Sequence, residues 1–196
     1  MILMSVHPNA PYRDRFEDDG STVIYEGHDA PRSGAVPDPK AIDQPEHTPA
    51  GTLTENGKFY QAALRYKSGG VPKTVRIYEK IRQGIWSYNG MFNLVDAWRE
   101  HDGQRLLFKF KLAAAESADY SLSSGVTRKE RRRLIPTAIK MEVWRRDAGK
   151  CVICGATDEL HFDHDLPYSL GGTSLKPENV QLLCARHNLA KGAKIL

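Results

Sequence analysis

Cys151-Val152-Ile153-Cys154 and Cys184-Ala185-Arg186-His187 are two pairs of metal-ligand residue types, each with two residues between its members, and 29 residues separate the pairs. Two short turns of this kind can converge on one tetrahedral ion with three thiolates and one imidazole. The pattern takes up every cysteine of the 196-residue chain, which disfavours unrelated buried cysteines. A redox Cys-x-x-Cys is disfavoured too, because no thioredoxin-like strand–CxxC–helix context surrounds residues 151–154. The spacing predicts a structural zinc on Cys151, Cys154, Cys184 and His187.

Between and after the pairs lie His161-Phe162-Asp163-His164-Asp165-Leu166-Pro167, Ser169-Leu170-Gly171-Gly172 and Pro177-Glu178-Asn179-Val180-Gln181-Leu182-Leu183, then Asn188 and Lys191-Gly192. Over roughly residues 143–194 this resembles the HNH nuclease motif of the ββα-metal fold. Phosphodiester hydrolysis needs an activated water and a cation that stabilises charge on the phosphate and leaving oxygen. The resemblance implies His164 as general base, since histidine titrates near neutrality. It implies Asp163, on the opposite face of the same strand, and Asn188 as ligands of a catalytic divalent metal such as Mg²⁺ or Mn²⁺. Asn179 would hold the His164 loop or ring by hydrogen bonding. The last histidine of the family name is asparagine here. An alternative leaves zinc with three cysteines and gives His187 to the catalytic metal; His187 on zinc is preferred, because it is the second member of an x2 pair. His161 is expected to serve packing.

Outward from this stretch, charge divides the chain. Residues 1–127 carry 15 Lys+Arg against 16 Asp+Glu, and residues 128–196 carry 13 against 8, so the net +4 is a sum of −1 and +5. The run Arg128-Lys129-Glu130-Arg131-Arg132-Arg133 reads either as a solvated linker or as an arm on which Arg131, Arg132 and Arg133 contact DNA phosphates. Lys191 is a further candidate for a phosphate contact. A helix is expected over roughly Thr137–Arg146, ended by Ala148-Gly149. The domain boundary falls in the Ala- and Ser-rich stretch 113–125, giving a first domain at 1–116, a basic linker at 117–133 and a nuclease domain at 134–196.

The first part reads mainly as strands, at Val23–Tyr25, Val75–Tyr78 and Leu106–Leu112. Gly69-Gly70, Gly84, Asn89-Gly90 and Asp102-Gly103 are expected as turns between strands, and proline-rich residues 30–50 as a long loop. Phe16-Glu17-Asp18-Asp19-Gly20 followed by Val23-Ile24-Tyr25-Glu26-Gly27 resembles the start of the SET- and RING-associated (SRA) domain. Asp43-Gln44, Asn56-Gly57-Lys58, Pro72–Arg76 and Ser87–Trp98 continue the likeness in order over about residues 11–113. That family recognises 5-methylcytosine by flipping it out of the duplex. The resemblance implies Phe16 and Tyr25 as stacking faces and Asp19 as acceptor for the cytosine amine. Two departures are Asn89 in the Tyr-Asp-Gly signature and Glu26 beside the second aromatic; they leave open whether methyl, hydroxymethyl or both are accommodated. Arg32, Lys40 and His47 are candidates to fill the gap left by a flipped base.

The expected fold is α+β, a twisted SRA-like β-barrel or sheet followed by a small ββα-metal zinc module. The implied protein is a modification-dependent (type IV) restriction endonuclease acting on double-stranded DNA with modified cytosine. One such site cuts one strand, so a homodimer or successive nicks are expected. No run approaches the roughly 20 apolar residues of a membrane span, the N-terminus lacks the basic start of a signal peptide, and three cysteines close no disulfide framework. A cytoplasmic setting follows. The rivals are a non-catalytic reader of methylated DNA and a nuclease indifferent to methylation.

Overall fold

The structure, a computed structural model, describes residues 1–115, 134–167 and 170–192, except for the side chain of Asp19. The fold is mixed α+β and divides into two compact units: Met1–Tyr78 with Gly90–Glu116, and Glu79–Asn89 with Ser117–Leu196. The second unit thus includes an eleven-residue segment from the middle of the first part of the sequence. The expected basic linker and Arg131, Arg132 and Arg133 lie outside the described residues.

The chain forms a six-stranded sheet of β1 (Ile2–Met4), β2 (Arg15–Glu17), β3 (Thr22–Glu26), β4 (Lys73–Arg82), β5 (Ile85–His101) and β6 (Leu106–Ala114), in the spatial order β1-β4-β5-β6-β3-β2. All three predicted strands fall inside these elements. β4 alternates buried and exposed positions, with Val75, Ile77, Glu79 and Ile81 inward, as a strand with one covered face should. β3 is buried at every position and is paired with β2 on one edge and β6 on the other. Gly84 (φ 78) turns β4 into β5, and Gly103 (φ 104) lies between β5 and β6. Asn89-Gly90, expected as a turn, lies inside β5 instead. Its turn-type dipeptide is overridden by strand pairing.

One helix went unread in the sequence: α1, Glu55–Lys67. Thr54 caps it by accepting from the Gly57 N–H at 3.1 Å, and the small residues Ala62 and Ala63 let it lie close on the core. Val23, Tyr25, Phe92, Leu94, Phe108, Phe110 and Leu112 form the body of that core.

The loop between β3 and α1 is tied down by polar side chains. Gln44 is buried; it donates to the Gly27 carbonyl at 2.6 Å and accepts from the Phe108 N–H at 2.8 Å. A Cβ at Gly27 would stand 2.6 Å from the Gln44 Oε1, so only glycine fits. Arg105 donates to the carbonyls of Pro39 and Ile42 and pairs with Asp29. Asp43 accepts from the Leu106 N–H. Buried Glu26 pairs with its cross-strand neighbour Lys109 at 2.8 Å, which gives a structural use to that departure from the family pattern.

The second unit contains α2 (Thr137–Arg146), the antiparallel pair β7 (Leu160–His164) and β8 (Val180–Cys184), and α3 (Ala185–Lys191). Ile135, Val143, Val180 and Leu182 make its core, with Trp144 and Phe162 against them. The ends of α2 agree with the expected helix, and Ala148 and Gly149 both have positive φ. On Glu79–Asn89, the buried Glu79 carboxylate accepts from Lys140 Nζ at 3.0 Å, from Asn89 Nδ2 at 3.1 Å and from the Thr137 hydroxyl. Lys140 also donates to Asn89 Oδ1 at 2.5 Å. Asn89 therefore donates to a carboxylate and accepts from an ammonium at once, and an aspartate there could not donate.

Candidate functional site

In the second unit, β8 runs directly into α3, so Cys184 and His187 sit either side of a strand-to-helix corner. Cys151 and Cys154 come from the turn after α2. The ligand atoms of all four lie within 4.8 Å of one another. Cys154 Sγ is 3.9 Å from Cys184 Sγ, and His187 Nδ1 is 3.5 Å from Cys151 Sγ and 3.3 Å from Cys184 Sγ. A disulfide needs about 2.05 Å. A tetrahedron with Zn–S about 2.3 Å and Zn–N about 2.05 Å has edges of about 3.5–3.8 Å. The donor set and spacing fit zinc, with His187 binding through Nδ1. Burial, the largest influence on Cys151, raises its pKa, but backbone N–H groups of Cys184, Cys154 and Ile153 and the His187 ring outweigh it and bring the thiol to about 6. Thiolate, the ligand form, is thereby favoured.

Asp163 and His164 end β7, paired with Gln181 and Val180 of β8. His164 Nε2 lies 2.7 Å from Ser174 Oγ. Asn179 staples the intervening loop: it accepts from the Leu166 N–H at 2.8 Å and donates to the carbonyls of Leu166 at 3.2 Å and Thr173 at 2.9 Å. The loop can close this tightly because residue 172 is glycine. A Cβ there would lie 1.8 Å from the Leu166 oxygen.

Lys191, expected as a surface contact to phosphate, is buried instead. Its ammonium donates to Asp163 Oδ2 at 2.7 Å and to the His164 carbonyl at 2.6 Å. The helix carrying it packs on β7 and β8, which draws the side chain inward. Asn188 precedes Lys191 by three residues and shares its helix face. Among the described residues, Asp163 Oδ1 and the Asn188 carboxamide carry no hydrogen bond. Carboxylate and carboxamide oxygens are the hard donor types that Mg²⁺ and Mn²⁺ take. His161 is exposed on β7 rather than packed, because its strand face turns away from the core. Ser174 and the inward turn of Lys191 were not readable beforehand; the Asn-x2-Lys-Gly ending was the one available signal.

In the first unit, Phe16 opposes Val23 across β2–β3. Tyr25 therefore stands on the same face, diagonal to Phe16. Phe16 packs partly buried on the core. Tyr25 is buried, its hydroxyl 2.5 Å from His28 Nε2 and its ring edge-on to that imidazole at 5.9 Å. Asn56 fixes His28 by accepting from its N–H and donating to its carbonyl, both at 2.8 Å, and Tyr12 lies 5.8 Å from the same ring. His28 and Tyr12 were missed in the sequence, where only their place beside the motif marked them. Asp19 belongs to a 3-10 turn, Asp18–Gly20; its side chain lies outside the described atoms. Lys40 is engaged by Asp29 and the Pro11 carbonyl.

Residues 151–194 match the family model of the HNH endonucleases. No curated protein matches the chain. Among solved structures, the SUVH5 SRA domain in complex with hemi-methylated CG DNA is 24% identical with a TM-score of 0.40, over 59% of this chain and 64% of that one. The same domain bound to fully hydroxymethylated CG DNA is 21% identical with a TM-score of 0.37, over 59% and 64%. The type IV phosphorothioation-dependent restriction endonuclease ScoMcrA is 15% identical with a TM-score of 0.36, over 97% of this chain and 48% of that one. This chain spans somewhat under two thirds of the SUVH5 SRA chains and about half of ScoMcrA. No helix among the described residues is long and apolar enough to cross a membrane.

Proposed function

We propose that the chain is a modification-dependent DNA endonuclease of the type IV kind, whose first unit reads a modified cytosine in duplex DNA and whose HNH segment hydrolyses a nearby phosphodiester bond. The observation that carries this reading is the end of β7, where Asp163 and His164 are consecutive and their loop is stapled by Asn179, with a Cys3His group at the other end of the β7–β8 pair. His164, its Nε2 2.7 Å from the Ser174 hydroxyl, would act as the general base that takes the proton of the attacking water. Asp163 Oδ1 and Asn188 would hold the divalent cation, which stabilises charge on the phosphate and leaving oxygen. Zinc on the four Cys and His ligands shapes the corner from which Asn188 and Lys191 project.

The SRA-like motifs of residues 11–113 support base reading by the first unit. Phe16 and Tyr25 would stack on a flipped 5-methylcytosine or 5-hydroxymethylcytosine, and Asp19 would accept from its amine. Stacking of a base on Tyr25 would require its contact with His28 to open. A homodimer would supply the second strand cut. Ligand thiolates suit the reducing cytoplasm.

The test is incubation with Mg²⁺ or Mn²⁺ and matched duplexes that are unmodified, methylated or phosphorothioated. Cleavage that depends on cytosine methylation is expected. Binding without cleavage would make the protein a reader only, and equal cleavage of all duplexes would remove the reading of bases.

A further inference from the structure

We propose that Lys191 is a positioning residue for hydrolysis, which clamps Asp163 in the orientation that serves the divalent cation. The inference rests on the nuclease reading above. The Lys191 side chain is 1% exposed and that of Asp163 23%. Its ammonium reaches two consecutive residues in different ways: the carboxylate of Asp163 through Oδ2 at 2.7 Å and the backbone carbonyl of His164 at 2.6 Å. Side chains of adjacent strand residues point to opposite faces, so few single groups can restrain both. One donor group stops the carboxylate from rotating, and another fixes the peptide from which the His164 ring projects.

With Oδ2 engaged by the ammonium, Oδ1 is the Asp163 oxygen best placed to serve a cation, and chelation through both oxygens is disfavoured. Asn188 sits one helical turn before Lys191 on α3, so the same helix sets the clamp and the second ligand. A contact to DNA phosphate needs an exposed ammonium, and this one is enclosed.

The full-length Lys191→Met variant fills a similar volume without charge or donors, and Lys191→Gln keeps an N–H donor. Both are compared with the unaltered protein for zinc content, for Mn²⁺ binding and line shape by electron paramagnetic resonance, and for cleavage of a methylated duplex over a range of Mn²⁺ concentrations. Lys191→Met is expected to keep its zinc and to bind Mn²⁺ no more weakly, because a neighbouring positive charge is gone. Its Mn²⁺ spectrum should change, and its rate at saturating Mn²⁺ should fall at least tenfold, with Lys191→Gln recovering part of the loss. Raised KM for duplex with an unchanged maximal rate would mean a phosphate contact and would overturn the proposal. Joint loss of zinc and Mn²⁺ in both variants would mean a structural role, with the same consequence. If the unaltered protein cuts no duplex, the nuclease reading fails separately; identical Mn²⁺ spectra in all three proteins would then refute the clamp.

Discussion

Replacing Lys140 by methionine tests whether the Glu79–Asn89 segment is bound into the second unit by a buried charge pair. Lys140 and Glu79 have side chains 2% and 1% exposed, with Nζ and Oε2 3.0 Å apart. Methionine keeps most of the volume and removes the charge. Glu79 then retains the Thr137 hydroxyl and the Asn89 amide but has lost its counter-charge among the described residues. Breaking a buried pair in this way costs about 3–5 kcal/mol, a large part of the roughly 5–15 kcal/mol that holds a domain folded. Burial, the dominant influence, pulls the Lys140 pKa down, and Glu79 only partly restores it. The ammonium is thus worse off inside than in water. It follows that the neutral pair Glu79→Gln with Lys140→Met should recover most of the loss, although each single change is harmful. Urea unfolding of the full chain, followed by Trp144 fluorescence and zinc release, measures all three variants. A single-variant cost below about 1 kcal/mol, or a double variant whose cost is the sum of the singles, would refute the reasoning.

Cys184→Ser, or chelation of the metal, should unfold the second unit, since structural zinc contributes about 10–16 kcal/mol of binding free energy; circular dichroism and metal analysis check one zinc per chain. Asn179→Ala removes three hydrogen bonds, worth about 1 kcal/mol each, and should slow cleavage at least 100-fold with zinc retained. Ser174→Ala should shift the pH–rate profile through His164, and an unchanged profile would count against Ser174 as its orienting partner. Asp14 is raised from 3.8 to about 6, chiefly by burial, against the opposing backbone N–H groups of Glu26 and Ser5. A carboxyl whose folded pKa lies above its unfolded one stabilises fully below about pH 4 and loses that contribution as pH rises through about 6, here about 3 kcal/mol. Against Asp14→Asn, the unaltered protein should lose that much between pH 4 and 7, and parallel curves would exclude the effect.

What the sequence disclosed and what it hid follow a physical division. Ligand chemistry is local: a thiolate pair with two residues between its members needs only a turn, so Cys151, Cys154, Cys184 and His187 were legible from spacing alone and meet within 4.8 Å. Strand periodicity is also local, and β3, β4 and β6 were anticipated from it. α1 was not, because its fully buried positions are Asn56, Gly57, Ala62 and Ala63, which bear little apolar signal, and the aromatic pair Phe59-Tyr60 that packs beside them is too short a run to show a helical period. The same limit hid Lys191. Charged residues at a helix end are most often solvated, and nothing within three or four residues distinguishes a lysine that turns inward. Its partner is Asp163, 28 residues away, and the pairing exists only because β8 brings α3 back onto β7. Asn89 is the intermediate case. Its departure from the family aspartate was visible in the sequence, but the reason was not, since the reason is Lys140, 51 residues later. A residue that breaks a motif is thus best understood by asking which distant group now requires its donor. Here that question leads from the first part of the chain to a lysine on α2.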